Sequence, residues 1–146
     1  MLRGNHPAKI DDKGRLKLPS AFRAFMHEQH GADLFITSLS GESVRIYSMP
    51  VWLALEARLA KMATTHPARL RFLDRVNYYG QADAFDGQGR VVIPQRLRDA
   101  AGIIGDVAVL GKLEYLDVWN HDRFVAKLAS DPYTDDDARA LAEFGV

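Results

Sequence analysis

Residues 10–19 read Ile10-Asp11-Asp12-Lys13-Gly14-Arg15-Leu16-Lys17-Leu18-Pro19, and residues 85–94 read Phe85-Asp86-Gly87-Gln88-Gly89-Arg90-Val91-Val92-Ile93-Pro94. Both follow one pattern: apolar, Asp, two free positions, Gly, Arg, apolar, free, apolar, Pro. The copies lie 75 residues apart in a chain of 146, so the sequence is built from two related halves. Asp-x-x-Gly is turn chemistry, because Asp caps its own turn and Gly supplies a positive φ. After the turn, Leu16 and Leu18 alternate with Arg15 and Lys17, and Val91 and Ile93 repeat this with Arg90 opposite. That is the period of a half-buried strand. Pro19 and Pro94 close each strand and stand near a helix start.

The likeness continues outward from these decapeptides. Ser20-Ala21-Phe22-Arg23 matches Gln95-Arg96-Leu97-Arg98, and Leu34 to Thr37 resembles Val107 to Leu110. Glu42 to Tyr47 resembles Glu114 to Trp119 at an offset of 72, so the second half has lost three loop residues. Each half therefore reads strand, tight turn, strand, short helix, strand, turn, strand, helix. Phe22, Phe25 and Met26 fall on one face of the first helix. Gly41 and Gly111 are expected to mark the second hairpin turns, and Ser48 and Asn120 to cap the closing helices. Trp52, Leu55, Leu59 and Met62 stripe one closing helix, and Phe124, Val125 and Leu128 stripe the other. Both stripes read as core. Thr134-x-x-Asp137 has the pattern of a capping box, opening a last helix with Leu141 and Phe144 as its apolar contacts. The expected organisation is a first module over residues 1–63, a linker and basic helical segment over 64–79, a second module over 80–130 and a C-terminal helix over 131–146.

Composition bounds the chemistry. Hydrophobic residues make up 47% and charged residues 26%, a globular balance. The absence of cysteine excludes disulfides and thiolate metal sites. No apolar run approaches the ~18 residues of a membrane span. The first residues lack the apolar centre of a signal peptide, so a cytoplasmic location is expected. The net charge is zero, yet residues 1–73 carry 11 Lys and Arg against 6 Asp and Glu, while residues 74–146 carry 8 against 13. Six bases fall within residues 1–23: Arg3, Lys9, Lys13, Arg15, Lys17 and Arg23. A local basic field of this kind can hold a polyanion even on a neutral chain.

Two Asp-x-x-Gly-Arg elements, each followed by apolar-x-apolar-Pro and set half a chain apart, form a specific signature. With Arg3-Gly4, Trp52, Arg75, Leu97-Arg98, Ala101-Gly102, Val109-Leu110-Gly111 and Val118-Trp119, the sequence resembles the MraZ family. These are double-module relatives of the AbrB-type swapped-hairpin transcription factors. The resemblance implies an α+β fold of two pseudo-repeated swapped-hairpin β modules with short helices, sharing one core. It also implies a ring-shaped homo-oligomer. Such a ring binds double-stranded DNA at direct repeats upstream of its own operon, in the cluster of division and cell-wall genes, and regulates transcription there. A nucleoid-associated location follows from the same resemblance. The sequence departs from an even duplication where Gln88 stands opposite Lys13, and where the second copy opens with the short, acidic Ala82-Asp83-Ala84.

On that basis Arg15 is the principal candidate for DNA contact. It follows the turn Gly, and its forked guanidinium can pair bidentately with guanine in the major groove. Lys13 at the tip, with Arg3, Lys9, Lys17 and Arg23, would serve phosphates. Arg90 is the matching residue of the second half. A second reading stays open for both arginines, in which Arg15 pairs with Asp11 and Arg90 with Asp86 across the turns. Asp11, Gly14, Asp86 and Gly89 are read as turn-shaping residues. An enzyme finds little support: there is no Gly-x-Ser-x-Gly and no phosphate loop. Gly87-Gln88-Gly89 leads into a strand, where a dinucleotide loop would need a helix N-terminus. His27 and His30 lack a third ligand, so no metal or other cofactor is expected. Neither a small-molecule substrate nor a membrane partner is indicated. A ring-forming scaffold without specific DNA binding is the alternative, and an antitoxin-like AbrB relative a more distant one.

Overall fold

The computed structural model describes residues 1–146. The first Asp-x-x-Gly turn joins β1 (Leu2–Ile10) to β2 (Arg15–Lys17), followed by α1 (Ser20–His30), β3 (Asp33–Thr37), β4 (Val44–Ser48) and α2 (Met49–Leu59). A bridging helix, α3 (Pro67–Tyr78), leads to β5 (Gln81–Ala84), β6 (Arg90–Val92), α4 (Gln95–Ala101), β7 (Gly105–Leu113), β8 (Tyr115–Asn120) and α5 (His121–Ser130). The chain ends in α6 (Asp135–Ala142). Both halves thus run strand, turn, strand, helix, strand, strand, helix. No helix is long and apolar enough to cross a membrane.

The eight strands make one antiparallel sheet in the order β5-β3-β4-β8-β7-β1-β2-β6. Each half's first strand pairs with the other half's third: β1 with β7 and β5 with β3. The second strands pair with each other, and so do the fourth. Read around the nearly closed sheet, exchanging the halves maps this order onto itself, with one pseudo-twofold axis that passes between β2 and β6 on one side and between β4 and β8 on the other. The sheet nearly closes, because β5 and β6 flank the remaining gap. There the Val92 N–H donates to Asp83 Oδ2 at 3.3 Å.

Cross-strand partners share a face of an antiparallel sheet. At the β2–β6 axis Leu16 faces Val91, and these two side chains are 0% and 1% exposed. They belong to a single apolar cluster of 19 buried residues drawn from both halves, including Leu34, Ile46, Ile93, Leu97, Val109 and Leu116. The two modules share one core and cannot be separated without exposing it. A smaller cluster lies where α2 and α3 cover the sheet: Tyr47, Trp52 and Val76, with Phe35 stacked on Trp52 at 4.5 Å.

Most local signals match. Pro19 and Pro94 occupy the N-cap positions of α1 and α4. Phe22 and Met26 are buried. Thr134 and Asp137 form a capping box at α6. Asn120 accepts from the Arg123 N–H, whereas Ser48 sits at its N-cap position without a side-chain hydrogen bond. Gly111 is not a turn residue. It lies inside β7 opposite Gly4, and a Cβ there would collide with the Arg3 backbone, so this glycine serves the close approach of β1 and β7. The turn falls instead at Leu113 and Glu114, with Leu113 at φ 64°. The α5 stripe is not core within this chain. Phe124 is half-buried against Trp119, but Val125 and Leu128 are 52% and 61% exposed. Leu141 and Phe144 are exposed as well. An apolar stripe records a face that can be covered without saying that the same chain covers it.

The turn glycines carry a reciprocal contact. Arg98 packs on Gly14 and Arg23 packs on Gly89, each helix bracing the other half's turn. Gly14 has φ +79°, and a Cβ there would stand 2.7 Å from both Nε and Cζ of Arg98. Gly14→Ala is therefore expected to lower stability by about 1–2 kcal/mol from the left-handed backbone alone. Urea unfolding would measure it. Adding Arg98→Ala should recover only the steric part.

Candidate nucleic-acid interface

The two Asp-x-x-Gly-Arg turns are the same structure twice. Asp11 Oδ1 accepts the N–H groups of Lys13 at 3.0 Å and Arg15 at 2.8 Å, and Oδ2 accepts Arg15 Nε at 2.7 Å. Asp86 Oδ1 accepts the N–H groups of Gln88 and Arg90, and its Oδ2 accepts Arg90 Nε, all at 2.8 Å. Backbone bonds from Asp11 N–H to the Arg15 carbonyl, and from Asp86 N–H to the Arg90 carbonyl, close the turns at 3.0 and 2.9 Å. The Asp supplies every side-chain acceptor the turn needs, which is why it stands four residues before the Arg.

These hydrogen bonds favour the ionised carboxylates. The Arg90 backbone N–H, opposed by partial burial and helped by the Arg90 guanidinium and the Gln88 N–H, pulls Asp86 from 3.8 to about 2. The Arg15 backbone N–H, against partial burial, lowers Asp11 in the same direction. A carboxylate whose pKa is depressed by folding takes up its proton more readily in the unfolded chain, so acid favours unfolding. The contribution of Asp86 is expected to be complete above its ordinary value of 3.8 and to vanish as pH falls toward 2. Circular dichroism across that window would check it. Asp86→Asn should show a flatter acid limb than the parent chain.

The ion pairs occupy only part of each guanidinium. Arg15 and Arg90 spend Nε on the Asp, and neither Nη1 nor Nη2 of either residue makes a hydrogen bond to the protein. The side chains are 34% and 26% exposed. Turn pairing is therefore present at both sites and leaves the outer fork of each arginine open. A guanidinium held at Nε is also fixed in plane, which lowers the ordering cost of a bidentate contact.

Strand register then gathers the two halves. Leu16 and Val91 point into the core, so their neighbours Arg15, Lys17, Arg90 and Val92 point outward. Lys17 lies directly across from Arg90, and Arg15 from Val92. The result is a two-stranded ribbon with both arginines and a lysine on one solvent face, and with the exposed tips Lys13 and Gln88 at its ends. A ribbon of this width can enter a major groove. Lys9 is exposed on β1, with Nζ 3.7 Å from Asp106 Oδ1, so part of its charge is met locally. Arg23 lies against the second turn, where Nη1 donates to the Gln88 carbonyl at 3.4 Å. Arg3 is not brought to the ribbon. It sits six positions from Lys9 at the far end of β1, ~20 Å away in an extended strand, facing Lys112. Sequence reasoning missed Val92 on this face and Arg98 as a turn brace, donating Nε to the Ile93 carbonyl at 3.0 Å. Arg98 could have been found as the repeat counterpart of Arg23. Val92 needed the register.

The family model described as "MraZ protein, putative antitoxin-like" matches residues 1–75 and 81–144. A protein of Acidobacterium capsulatum named "Transcriptional regulator MraZ" is 49% identical over 146 residues, covering all of both chains. Proteins of the same name from Koribacter versatilis and Herpetosiphon aurantiacus are 44% and 35% identical, again over the full length of each chain. That shared name describes regulators of transcription, a non-enzymatic class.

Proposed function

The chain belongs to the MraZ family, and from that premise we propose that it is a sequence-specific DNA-binding regulator of transcription. The observation that carries this reading is the outward ribbon, on which register places Arg15, Lys17 and Arg90 together. In this reading Arg15 and Arg90 present their Nη groups to base edges, while Lys13 at the first tip, Lys17 across from Arg90 and Lys9 on the adjoining strand neutralise phosphates. Arg23 acts from beside the second turn, holding its shape and adding charge. Asp11, Gly14, Asp86 and Gly89 set the turns. The site needs no cofactor.

Identical subunits assemble into a ring, and the ring binds direct repeats upstream of the protein's own operon, in the division and cell-wall gene cluster. It works in the cytoplasm, on the nucleoid. Head-to-tail subunits present identical sites in one rotational sense, which suits direct repeats. Neighbouring subunits on neighbouring repeats raise each other's effective concentration. Exposed Val125, Leu128 and Phe144 offer apolar surface that a neighbouring subunit would cover. The modules of residues 1–63 and 80–130 then act as one reading unit, with the 64–79 linker bracing the sheet and the 131–146 tail free for subunit contact.

The test is binding to a duplex carrying the chain's own upstream repeats, beside a shuffled duplex, across a salt series. Preference for the repeats with a steep loss of affinity in salt is expected, about 0.9 in log–log slope per phosphate contacted. Lys17→Ala should reduce that slope by about 1. Equal affinity for both duplexes at every salt concentration would remove specific binding and leave a ring-forming scaffold.

A further inference from the structure

We infer that Val92 reads the methyl group of a thymine beside the base that Arg15 addresses, and thereby gives each subunit one direction on its site. The inference rests on the DNA-binding reading of the ribbon and assigns one more of its residues. Val92 is 44% exposed on the outward face of β6, directly across from Arg15 and two residues along from Arg90. Its backbone is fixed, with the N–H held by Asp83 Oδ2 at 3.3 Å. A single exposed valine is ordinary on most surfaces. Here every other outward side chain of the paired segment is cationic: Arg15, Lys17 and Arg90. A polyanion seated on those three would press against the valine, which can neither donate to a phosphate nor accept from a base.

The major groove offers an apolar side chain one specific partner, the thymine 5-methyl. Directly opposed side chains in a sheet stand about 4.5–5.5 Å apart at Cβ. Base pairs rise about 3.4 Å each, so the valine and the Arg15 fork reach bases one or two steps apart. The short branched side chain has few rotamers to lose in such a contact.

The pseudo-twofold axis supplies the directional consequence. The repeat counterpart of Val92 is Lys17, and the axis exchanges the pair Arg15–Val92 with the pair Arg90–Lys17. The two arginines are equivalent, so by themselves they would read a site equally well in either direction. Lys17 meets a phosphate wherever it falls, because phosphates carry no sequence. Val92 is the member of the face that breaks the symmetry in a sequence-dependent way.

Deoxyuridine differs from thymidine only by the missing methyl, so it isolates this contact. The full chain is titrated against its own upstream duplex, with each thymine of a repeat replaced in turn by deoxyuridine, beside a shuffled duplex. The parent chain should lose about fourfold in affinity at one thymine per repeat, the worth of one buried methyl. Val92→Ser should bind the thymine and deoxyuridine duplexes equally at that position. Val92→Thr keeps the branched shape and covers a serine variant that does not fold. Its ratio should fall to about twofold, and an unchanged ratio would overturn the inference. So would a parent that prefers its repeats yet is indifferent to every replacement, or a sensitivity that survives in folded Val92→Ser; both leave DNA binding standing. A parent with no preference over the shuffled duplex would overturn the DNA-binding reading, and this assignment with it.

Discussion

Arg15→Ala is expected to leave the chain folded and to abolish its preference for its own upstream repeats. The substitution removes the two Nη groups that the protein leaves open, together with the Nε bond to Asp11. The turn keeps its main supports, because Asp11 Oδ1 still accepts the backbone N–H groups of residues 13 and 15. A bidentate arginine–guanine contact is worth about 1–3 kcal/mol of discrimination, or roughly 5- to 150-fold at 1.4 kcal/mol per decade. Where neighbouring subunits bind in concert, that loss recurs at every repeat. Arg15→Lys separates the two roles of the side chain. It keeps the charge and discards the planar fork, so recovery of affinity without recovery of preference would mark base reading. Recovery of both would reduce Arg15 to a phosphate contact. Arg90→Ala should lose binding too, since its turn is geometrically the same. Binding to the repeats that survives Arg15→Ala in a folded protein would leave Arg15 a turn residue only.

The turns were legible because their chemistry is local. The Asp that caps, the Gly that takes positive φ and the Arg that pairs back all lie within five residues. The capping box at Thr134 and the buried face of α1 are local in the same sense. What the sequence did not disclose was the pairing between halves. Lys17 faces Arg90, and Arg23 and Arg98 cross to brace each other's glycines, through contacts between residues more than 60 positions apart. Neither period nor propensity carries that information. The repeat implied a twofold relation, but only the register showed that its axis runs between β2 and β6 and merges two candidate sites into one. Gly111 was misread because a glycine signals a turn and a close backbone approach equally well, and here β1 made it the second. The α5 stripe was misread for a different reason: Val125 and Leu128 define an apolar face, which a periodic pattern records, but no other part of this chain packs over it.

The largest effect on stability is expected from Leu16→Ala. Leu16 has no exposed surface and meets Val91 on the pseudo-twofold axis, inside the cluster shared by both halves. Truncating a buried leucine costs about 2–5 kcal/mol, the larger values applying where the site cannot collapse. At this axis, collapse would require strands from both halves to move together. Domains of this size are stable by only about 5–15 kcal/mol, so a large fraction of the total is at stake. The two tryptophans allow a decisive measurement, since Trp52 reports from the first half and Trp119 from the second. Single-tryptophan versions made by Trp52→Phe or Trp119→Phe should each show one urea transition, and Leu16→Ala should shift both midpoints by the same free energy. A shift confined to the Trp52 signal would mean that the halves unfold separately. Coincident shifts have a consequence for recognition. Arg15 and Lys17 stand on the strand that Leu16 anchors, and Arg90 on the strand that Val91 anchors, so the fold cannot lose one half of the ribbon and keep the other. The two arginines are held in register by the same buried contact that joins the modules.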